Sequence, residues 1–262
     1  MHRILFEIGD FPIRSFGVGV VVAIVLAAGV ACYMTKGTKY RNHVIDMLLL
    51  VLICSFVGAR FWHVFFFQWD YYHNHLGEIF AIWNGGIAIQ GGLVGGFAGG
   101  AYYAWRHKLN FWEYADYLAP AIIFGQGVGR MACFLTAGDF GEPTNAGFGI
   151  IYPEGTVAYA TYGDQPLWPA RLWEGQWDFI VFGLLLMMMN KKWPNGFIFL
   201  SYNILYSIGR FFLGFLRGDS AGLWFDWTAG QWTSVVVVIA ALIVMPFILK
   251  RHNQRAQTMT SE

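Results

Sequence analysis

Apolar and polar positions alternate in long blocks along this chain of 262 residues. Seven blocks are apolar over much of their length, and runs of about 20 apolar residues can cross a bilayer as helices. The pattern therefore predicts an all-α integral membrane protein with about seven transmembrane helices. The predicted segments are residues 16–34, 44–67, 79–105, 117–135, 177–190, 196–216 and 232–249.

The composition supports this fold class and excludes others. Hydrophobic residues make up 56% of the chain and charged residues only 13%, whereas soluble proteins contain about 25% charged residues. Such hydrophobicity excludes a disordered chain, and a net charge of +1 argues against a nucleic-acid-binding protein. Three cysteines exclude a disulfide scaffold, and none lies at metal-ligand spacing. We therefore expect neither a metal nor an organic cofactor.

Basic residues cluster after every second apolar segment, which predicts the orientation. By the positive-inside rule these loops are cytoplasmic, so the N-terminus lies outside and the C-terminus inside. The opposite loops contain almost no lysine or arginine. The residues that orient the chain are Lys36, Lys39, Arg41, Arg106, Lys108, Lys191, Lys192, Lys250, Arg251 and Arg255.

The largest connection, residues 136–176, is predicted to lie outside the membrane. It contains four prolines and several glycines, which favour turns or short strands. We expect it to be an insertion within a single polytopic domain that covers residues 1–262.

Three arginines, Arg60, Arg130 and Arg210, interrupt otherwise apolar segments. Arg217 follows Arg210 by seven residues, which predicts that both lie near one helix face. Inserting an arginine into a bilayer costs at least about 2.5–3.5 kcal/mol, so such a residue usually has a function or a partner. Few acidic residues lie within the spans, so these guanidiniums are expected to attract an anion, most simply a lipid phosphate. The alternatives are arginines that extend to the interface, or internal ion pairs.

Glycine dominates residues 84–100 and supports two interpretations. Gly95 to Gly100, with a spacing of four, favour close helix packing. Residues 84–92 are too polar for a straight span and favour a broken helix that lines a cavity. Gln90 would then point into that cavity, or would instead form a hydrogen bond between helices.

Beyond these physical features, the chain resembles prolipoprotein diacylglyceryl transferases in a series of motifs that follow the family's order. The motifs are I-R-S-F-G at 13–17, G-A-R at 58–60, W-D-Y-Y at 69–72, W-N-G-G-I-A-I-Q-G-G-L-V-G-G at 83–96, G-R-M-A-C-F-L-T-A-G-D-F-G at 129–141, W-P-A-R-L-W-E at 168–174 and G-R-F-F-L-G-F-L-R at 209–217. The resemblance covers nearly the whole chain.

The resemblance implies a function, two substrates and a location. A family member moves diacylglyceryl from phosphatidylglycerol to the lipobox cysteine thiol of a secreted preprotein, and glycerol phosphate leaves. It would be a multi-pass protein of the bacterial cytoplasmic (inner) membrane. Carried over to matching positions, it makes Arg130, Arg210 and Gln90 candidate catalytic residues. The candidate substrate-binding residues are Arg60, Gly91, Gly92, Gly129, Gly141, Glu174 and Arg217.

The chain also departs from the family pattern. Gln90 replaces the family's histidine, and other departures are Phe16, Cys133, Thr136, Gly138 and Gly214. Glutamine cannot accept a proton at neutral pH, so the thiol needs another route to ionisation. Our hypothesis is that ionisation promoted by the arginines suffices, with Gln90 orienting the headgroup. The alternatives are proton transfer to His63, Asp139 or Glu174, or altered activity.

Two functions of other classes would also account for these arginines and glycines. One is a lipid- or anion-binding paralogue without transferase activity, or a transporter with a broken helix. The other is a purely structural role, in which glycines pack helices and arginines anchor them at the interface.

Overall fold

A computed structural model describes residues 4–8, 11–81, 85–219, 222 and 224–260, and helices dominate it. A hairpin of β1 (Ile4–Ile8) and β2 (Phe11–Arg14) precedes the first helix. The helices are α1 (Ser15–Met34), α2 (Val44–Trp62), α3 (Trp69–Tyr72), α4 (Ile89–Arg106), α5 (Phe111–Leu135), α6 (Val157–Tyr162), α7 (Ala170–Met189), α8 (Phe197–Gly214) and α9 (Ala229–Thr260).

Six helical stretches of the described residues are long and apolar enough to cross a membrane. The prediction of an all-α, multi-pass membrane protein is thus confirmed. The stretches are Ser15–Met34, Arg41–Phe67, Phe111–Leu135, Ala170–Met189, Phe197–Gly214 and Ala229–Lys250. Helix α4 falls short of this hydropathy because glycine fills so much of it. The count of seven spans and the orientation stay predictions.

Three helices begin at least six residues from the predicted starts, and one of them is α5, which begins at Phe111 instead of 117. Helix α4 begins at Ile89, ten residues after the predicted start of its segment at 79, because Gly85 and Gly86 adopt positive φ angles of 83° and 75°. Helix α7 begins at Ala170, before the predicted apolar start at 177 and just before the range 172–176 that the short segment also allowed, since its first turns contain Arg171, Glu174 and Asp178. These charged residues hide the helix from an analysis of hydrophobicity.

The chain divides into two compact units, residues 1–34 with 115–262, and residues 35–114. In the 35–114 unit, α2 packs along α4. The prediction of one polytopic domain stays a prediction.

In the larger unit, α5, α7 and α8 enclose a core that contains Ile123, Val181 and Leu185. Asp116 of α5 ties two of these helices together, since its carboxylate accepts hydrogen bonds from the backbone amides of Gly196 (2.6 Å) and Phe199 (2.8 Å). A carboxylate is favourable at the positive N-terminal end of a helix. This arrangement fixes the beginning of α8 against α5, and both helices carry arginines of the site.

The predicted outer connection is ordered by short backbone pairings. Glu142 donates its amide to the carbonyl of Leu216, and Gly218 donates to that of Phe140. Isolated bridges join Leu167 to Pro143 and Ile150. The expected turns and short pairings are therefore present, together with the short helix α6.

Candidate functional site

The carboxylate of Glu174 lies at the centre of four arginines. It is buried in the second turn of α7, with 4% of its surface exposed. Arg171, three residues earlier on the same helix, donates to Oε2 at 2.6 Å, and Arg210 of α8 donates to Oε1. Nε of Arg130 lies 3.5 Å from Oε2, and Nη1 of Arg217 lies 3.9 Å from Oε1. One acidic side chain thus brings together arginines from three helices and the segment after α8.

Two aspartates, Asp139 and Asp219, bind arginines of this cluster. Asp219 accepts a paired set of hydrogen bonds from Arg217, from Nε at 2.8 Å and Nη2 at 2.7 Å. Oδ2 of Asp139 forms an ion pair with Nη2 of Arg171 at 2.8 Å. Paired contacts of this kind fix both the position and the plane of a guanidinium. Arg171 and Arg217 are therefore buried and each held by more than one acid, although Nε of Arg171 has no hydrogen-bond acceptor among the described residues.

The position of Arg217 corrects one sequence-based prediction. We expected Arg210 and Arg217 to share a helix face, but α8 ends at Gly214 and Arg217 lies beyond it, bridged to Gly141. A Cβ atom at Gly141 would collide with the carbonyl of Trp168 and would lie 2.8 Å from that of Leu216. The absence of a side chain at Gly141 therefore lets the outer connection approach Arg217.

Arg130 and Arg210 differ from this buried pair because they keep unused donors on side chains that are partly exposed. Arg130 also donates from Nη2 to the Tyr206 hydroxyl at 3.2 Å. Among the described residues, Nη1 of Arg130 and both Nε and Nη2 of Arg210 form no hydrogen bond. The two side chains are 21% and 18% exposed. They line a small cleft together with Trp177, Asp178, Tyr206, Gly209 and Leu213.

The charges of the site correct a second prediction. We expected arginines with few counter-charges, but Glu174, Asp139 and Asp219 face the four arginines, which leaves an excess of one positive charge before Asp178 is counted. The alternative of internal ion pairs therefore applies to Arg130, Arg210 and Arg217. It does not consume every donor of Arg130 and Arg210, so the cleft can still bind an anion.

Arg60, in the 35–114 unit, is bound quite differently. It is buried, and all three of its guanidinium nitrogens donate to backbone carbonyls. The Cζ atom of its guanidinium also lies 5.1 Å from the ring centre of Tyr72. The acceptors are the carbonyls of Glu78, Ile79, Ala81, Gly85 and Gly86, at 2.7, 2.7, 3.4, 2.7 and 2.8 Å. This geometry favours a role in ordering the loop before α4.

Close helix packing, predicted for Gly95 to Gly100, also includes Gly91 of the earlier part of the glycine-rich segment. A Cβ atom at Gly91 would collide with the carbonyl of Gly58 and Cβ of Trp62, and one at Gly95 with the carbonyl of Cys54. Close packing of α4 on α2 is thus confirmed for Gly95 and extends to Gly91. Gly92 makes only ordinary contacts, since its Cβ would lie 3.6 Å from that of Ala59.

The expected break in the helix lies at residues 85–88, just before α4, while Asn84 falls outside the described residues. Gln90, in the first turn of α4, has an exposed side chain and forms no hydrogen bond with the described residues. The alternative of a hydrogen bond between helices is therefore not observed. Gln90, Gly91, Gly92 and Arg60 belong to the 35–114 unit, and the Glu174 cluster belongs to the larger unit.

Gly129 precedes Arg130 on α5, and no atom lies within 4 Å of where its Cβ would be. Sequence reasoning missed Arg171, Tyr206 and Asp178 as members of the site. Their helical spacing could have found them: Arg171 and Asp178 lie three residues before and four after Glu174, and Tyr206 lies four before Arg210.

The pKa values of Asp219, which follows α8, and Tyr152, in the outer connection, depart from their ordinary values. Burial opposes ionisation of Asp219, but the Arg217 guanidinium outweighs it and holds the pKa of that carboxyl below its usual value. Burial, with Asp139 nearby, raises the pKa of Tyr152 to about 12. Asp219 is thus a carboxylate at neutral pH, as the ion pair with Arg217 requires.

Comparisons with known proteins point in one direction. A family model described as prolipoprotein diacylglyceryl transferase matches residues 3–247. A protein of Listeria innocua named phosphatidylglycerol–prolipoprotein diacylglyceryl transferase is 33% identical over 92% of this chain and 88% of its own length. Proteins of the same name from Geobacillus kaustophilus and Acaryochloris marina are 35% and 34% identical, over 92% and 82% of this chain and 90% and 80% of their own lengths.

Proposed function

Because this chain belongs to the prolipoprotein diacylglyceryl transferase family, we propose that it is a phosphatidylglycerol–prolipoprotein diacylglyceryl transferase. Its donor is phosphatidylglycerol, and its acceptor is the lipobox cysteine of a secreted preprotein. It works in the bacterial cytoplasmic (inner) membrane, where both substrates are within reach of a multi-pass protein. The observation that carries the proposal is the pair of partly exposed arginines, Arg130 and Arg210, held on one buried carboxylate.

The reaction needs positively charged hydrogen-bond donors that hold the phosphate, and we call this pair of donors the clamp. The cysteine sulfur attacks the glyceryl carbon next to the phosphate ester, a carbon–sulfur bond forms, and the carbon–oxygen bond breaks. Its electron pair goes to the ester oxygen, so negative charge grows on the departing glycerol phosphate. Preorganised donors aimed at growing charge are among the strongest contributions to catalysis. The unused donors of Arg130 and Arg210 suit this task, and their cleft is where we place the phosphate.

Glu174 and the two buried arginines, Arg171 and Arg217, hold the clamp arginines in position. A guanidinium in a long side chain loses conformational freedom when it binds a ligand, unless the protein already holds it in place. Glu174 holds Arg210 and Arg130, while Arg171 and Arg217 bind Glu174 and are themselves fixed by aspartates. In this scheme Glu174, Arg217 and Gly141 position the clamp rather than contact the lipid.

The residues of the other unit have separate roles in the proposal. Arg60 and Gly91 shape the segment that precedes and begins α4, and Gly92 lies beside them. Gln90 orients the lipid headgroup through its exposed amide, and Gly129 leaves room beside Arg130 for the substrate. Ionisation of the thiol is promoted by the cationic clamp, since neighbouring cations stabilise a thiolate.

Labelled transfer to a lipobox peptide in phosphatidylglycerol vesicles tests the proposal. We expect Arg130→Ala and Arg210→Ala each to lower the rate by at least about 100-fold, the scale found when one donor to a growing anion is removed. Gln90→Ala should weaken transfer only several-fold. Arg106→Ala, which removes an exposed arginine at the end of α4, is the matched control and should transfer normally.

Near-normal turnover of Arg130→Ala would contradict the clamp. If the wild-type protein transfers nothing in this assay and also fails to rescue a transferase-depleted strain, the enzymatic proposal is wrong. The lipid- or anion-binding paralogue would then be the better account of the same arginines.

A further inference from the structure

One carboxylate that lines the cleft is used by no ion pair within 4 Å among the described residues. Asp178 lies on α7 four residues after Glu174, so both side chains project from one face of the helix. Only 2% of Asp178 is exposed, and its Oδ2 atom has no hydrogen-bond donor among the described residues. Asp178 lines the same cleft as Arg130 and Arg210.

This arrangement is unusual for a buried acid. Buried polar atoms normally have hydrogen-bond partners, and an acidic residue inside a transmembrane helix normally has a function. The charged and titratable groups around the cleft come from every helix that forms it: Arg130 from α5, Glu174 from α7, and Tyr206 and Arg210 from α8. Glu174 accepts hydrogen bonds from Arg171 and Arg210, whereas Oδ2 of Asp178 keeps lone pairs that can receive a proton.

Other candidate acceptors are less suitable. The oxygens of Glu174 receive hydrogen bonds from Arg171 and Arg210, and Asp139 is paired with Arg171 at 2.8 Å. Gln90 is an amide and accepts no proton at neutral pH. Of the described carboxylates that line the cleft, Asp178 alone has an oxygen without a donor.

We propose that Asp178 is the catalytic proton acceptor for the substrate thiol. This inference rests on the proposed transferase function. As sulfur attacks the glyceryl carbon, the thiol proton passes to a carboxylate oxygen of Asp178, and the phosphate leaves with the electron pair of the broken carbon–oxygen bond. Before and after the step the total charge is unchanged, since Asp178 becomes neutral while the phosphate gains one negative charge. Arg130 and Arg210 hold that charge, and the proton later passes to water.

A selenocysteine peptide separates proton removal from every other step. A selenol is ionised at neutral pH without help, so it needs no acceptor, whereas the matching cysteine peptide does. We expect Asp178→Asn to lower transfer to the cysteine peptide by at least about 100-fold, as general-base removal does. Transfer to the selenocysteine peptide should fall by less than about tenfold. Arg130→Ala should lose transfer to both peptides, because both need the phosphate clamp.

Asp164→Asn provides the matched control, since Asp164 is an exposed acid of the outer connection and should transfer to both peptides normally. If Asp178→Asn does not fold, Asp178→Glu keeps the charge and shifts the carboxylate, and should still reduce cysteine transfer more than selenocysteine transfer. Equal losses for the two peptides in a folded variant would overturn the role in proton transfer. A wild-type protein inactive towards both peptides would instead contradict the transferase function itself.

Discussion

Arg60 and Arg210 both lie on membrane-spanning helices, but Arg60 is buried whereas Arg210 is partly exposed, and their surroundings differ. Arg60 gives its donors to five carbonyls of one nearby loop and faces Tyr72. Arg210 shares one carboxylate with three other arginines and keeps Nε and Nη2 free of hydrogen bonds with the described residues. Carbonyl dipoles satisfy a guanidinium completely and carry no net charge. A shared carboxylate holds several guanidiniums together without neutralising them all.

The contrast separates two uses of the same residue type. An arginine whose donors are all paired, such as Arg60, stabilises the fold. Any other arrangement that buried its guanidinium without these acceptors would leave unpaired donors in an apolar medium. An arginine with free donors and an open side can bind an anion at little further cost in conformational freedom. The two arginines differ in their acceptors. Substitutions that change an acceptor, or that replace the planar guanidinium, should therefore affect the surroundings of Arg60 and of Arg210 in different ways.

The largest expected effect comes from removing the shared carboxylate. Glu174→Gln would leave four arginines close together without their central counter-charge. Breaking a buried ion pair from one side typically costs about 3–5 kcal/mol, so we expect a marked fall in the unfolding temperature in detergent and loss of transfer. Glu154→Gln, at an exposed glutamate of the outer connection, should change neither quantity. If Glu174→Gln is as stable as wild type, the carboxylate does not hold the cluster together.

A smaller effect should come from exchanging each arginine for lysine. Lysine keeps the charge but loses the planar fork that reaches several acceptors at once. Arg60→Lys should lower the unfolding temperature, by the equivalent of about 1.5–3 kcal/mol for a lost charged hydrogen bond, while KM for phosphatidylglycerol stays near its wild-type value. Arg210→Lys should lower kcat with a smaller change in stability.

The pair of variants can contradict the comparison in either direction. A large rise in KM for phosphatidylglycerol in Arg60→Lys, without a loss of stability, would place Arg60 on the lipid. A loss of stability in Arg210→Lys as large as that in Arg60→Lys would show that Arg210 is mainly structural.

Much of this fold could be predicted from hydrophobic patterning alone, because a membrane span needs a long apolar run and little else. The apolar segments at the two ends of the chain closely match α1 and the membrane-spanning stretch Ala229–Lys250 of α9. Helix α7 was misplaced at its beginning, since Arg171, Glu174 and Asp178 interrupt the apolar run. The charges that define the site are the same ones that obscure the helix.

The candidate site was harder to predict than the helices. Arg130, Arg210 and Glu174 could be singled out from the sequence, but their convergence depends on how α5, α7 and α8 pack. The pairing of Arg217 with Asp219 depends on the chain leaving its helix at Gly214, which an assumed helical period of 3.6 residues over 210–217 missed. The five carbonyl acceptors of Arg60 could not be predicted from the sequence, because they come from a loop about 20 residues later in the chain.

The smallest expected effect concerns the rim of the arginine cluster and depends on pH. Arg217 lowers the pKa of Asp219 below its unfolded value of about 3.9, despite burial. The ionised carboxylate therefore contributes stability that is fully present above pH 3.9 and is lost as the pH falls through the lower folded pKa. Asp219→Asn should lower stability at neutral pH by about 1 kcal/mol, and its deficit against wild type should shrink below pH 4. Unfolding temperatures measured in detergent between pH 3 and 7 would test this, and a deficit that does not change with pH would mean that the charge of Asp219 contributes nothing beyond its shape.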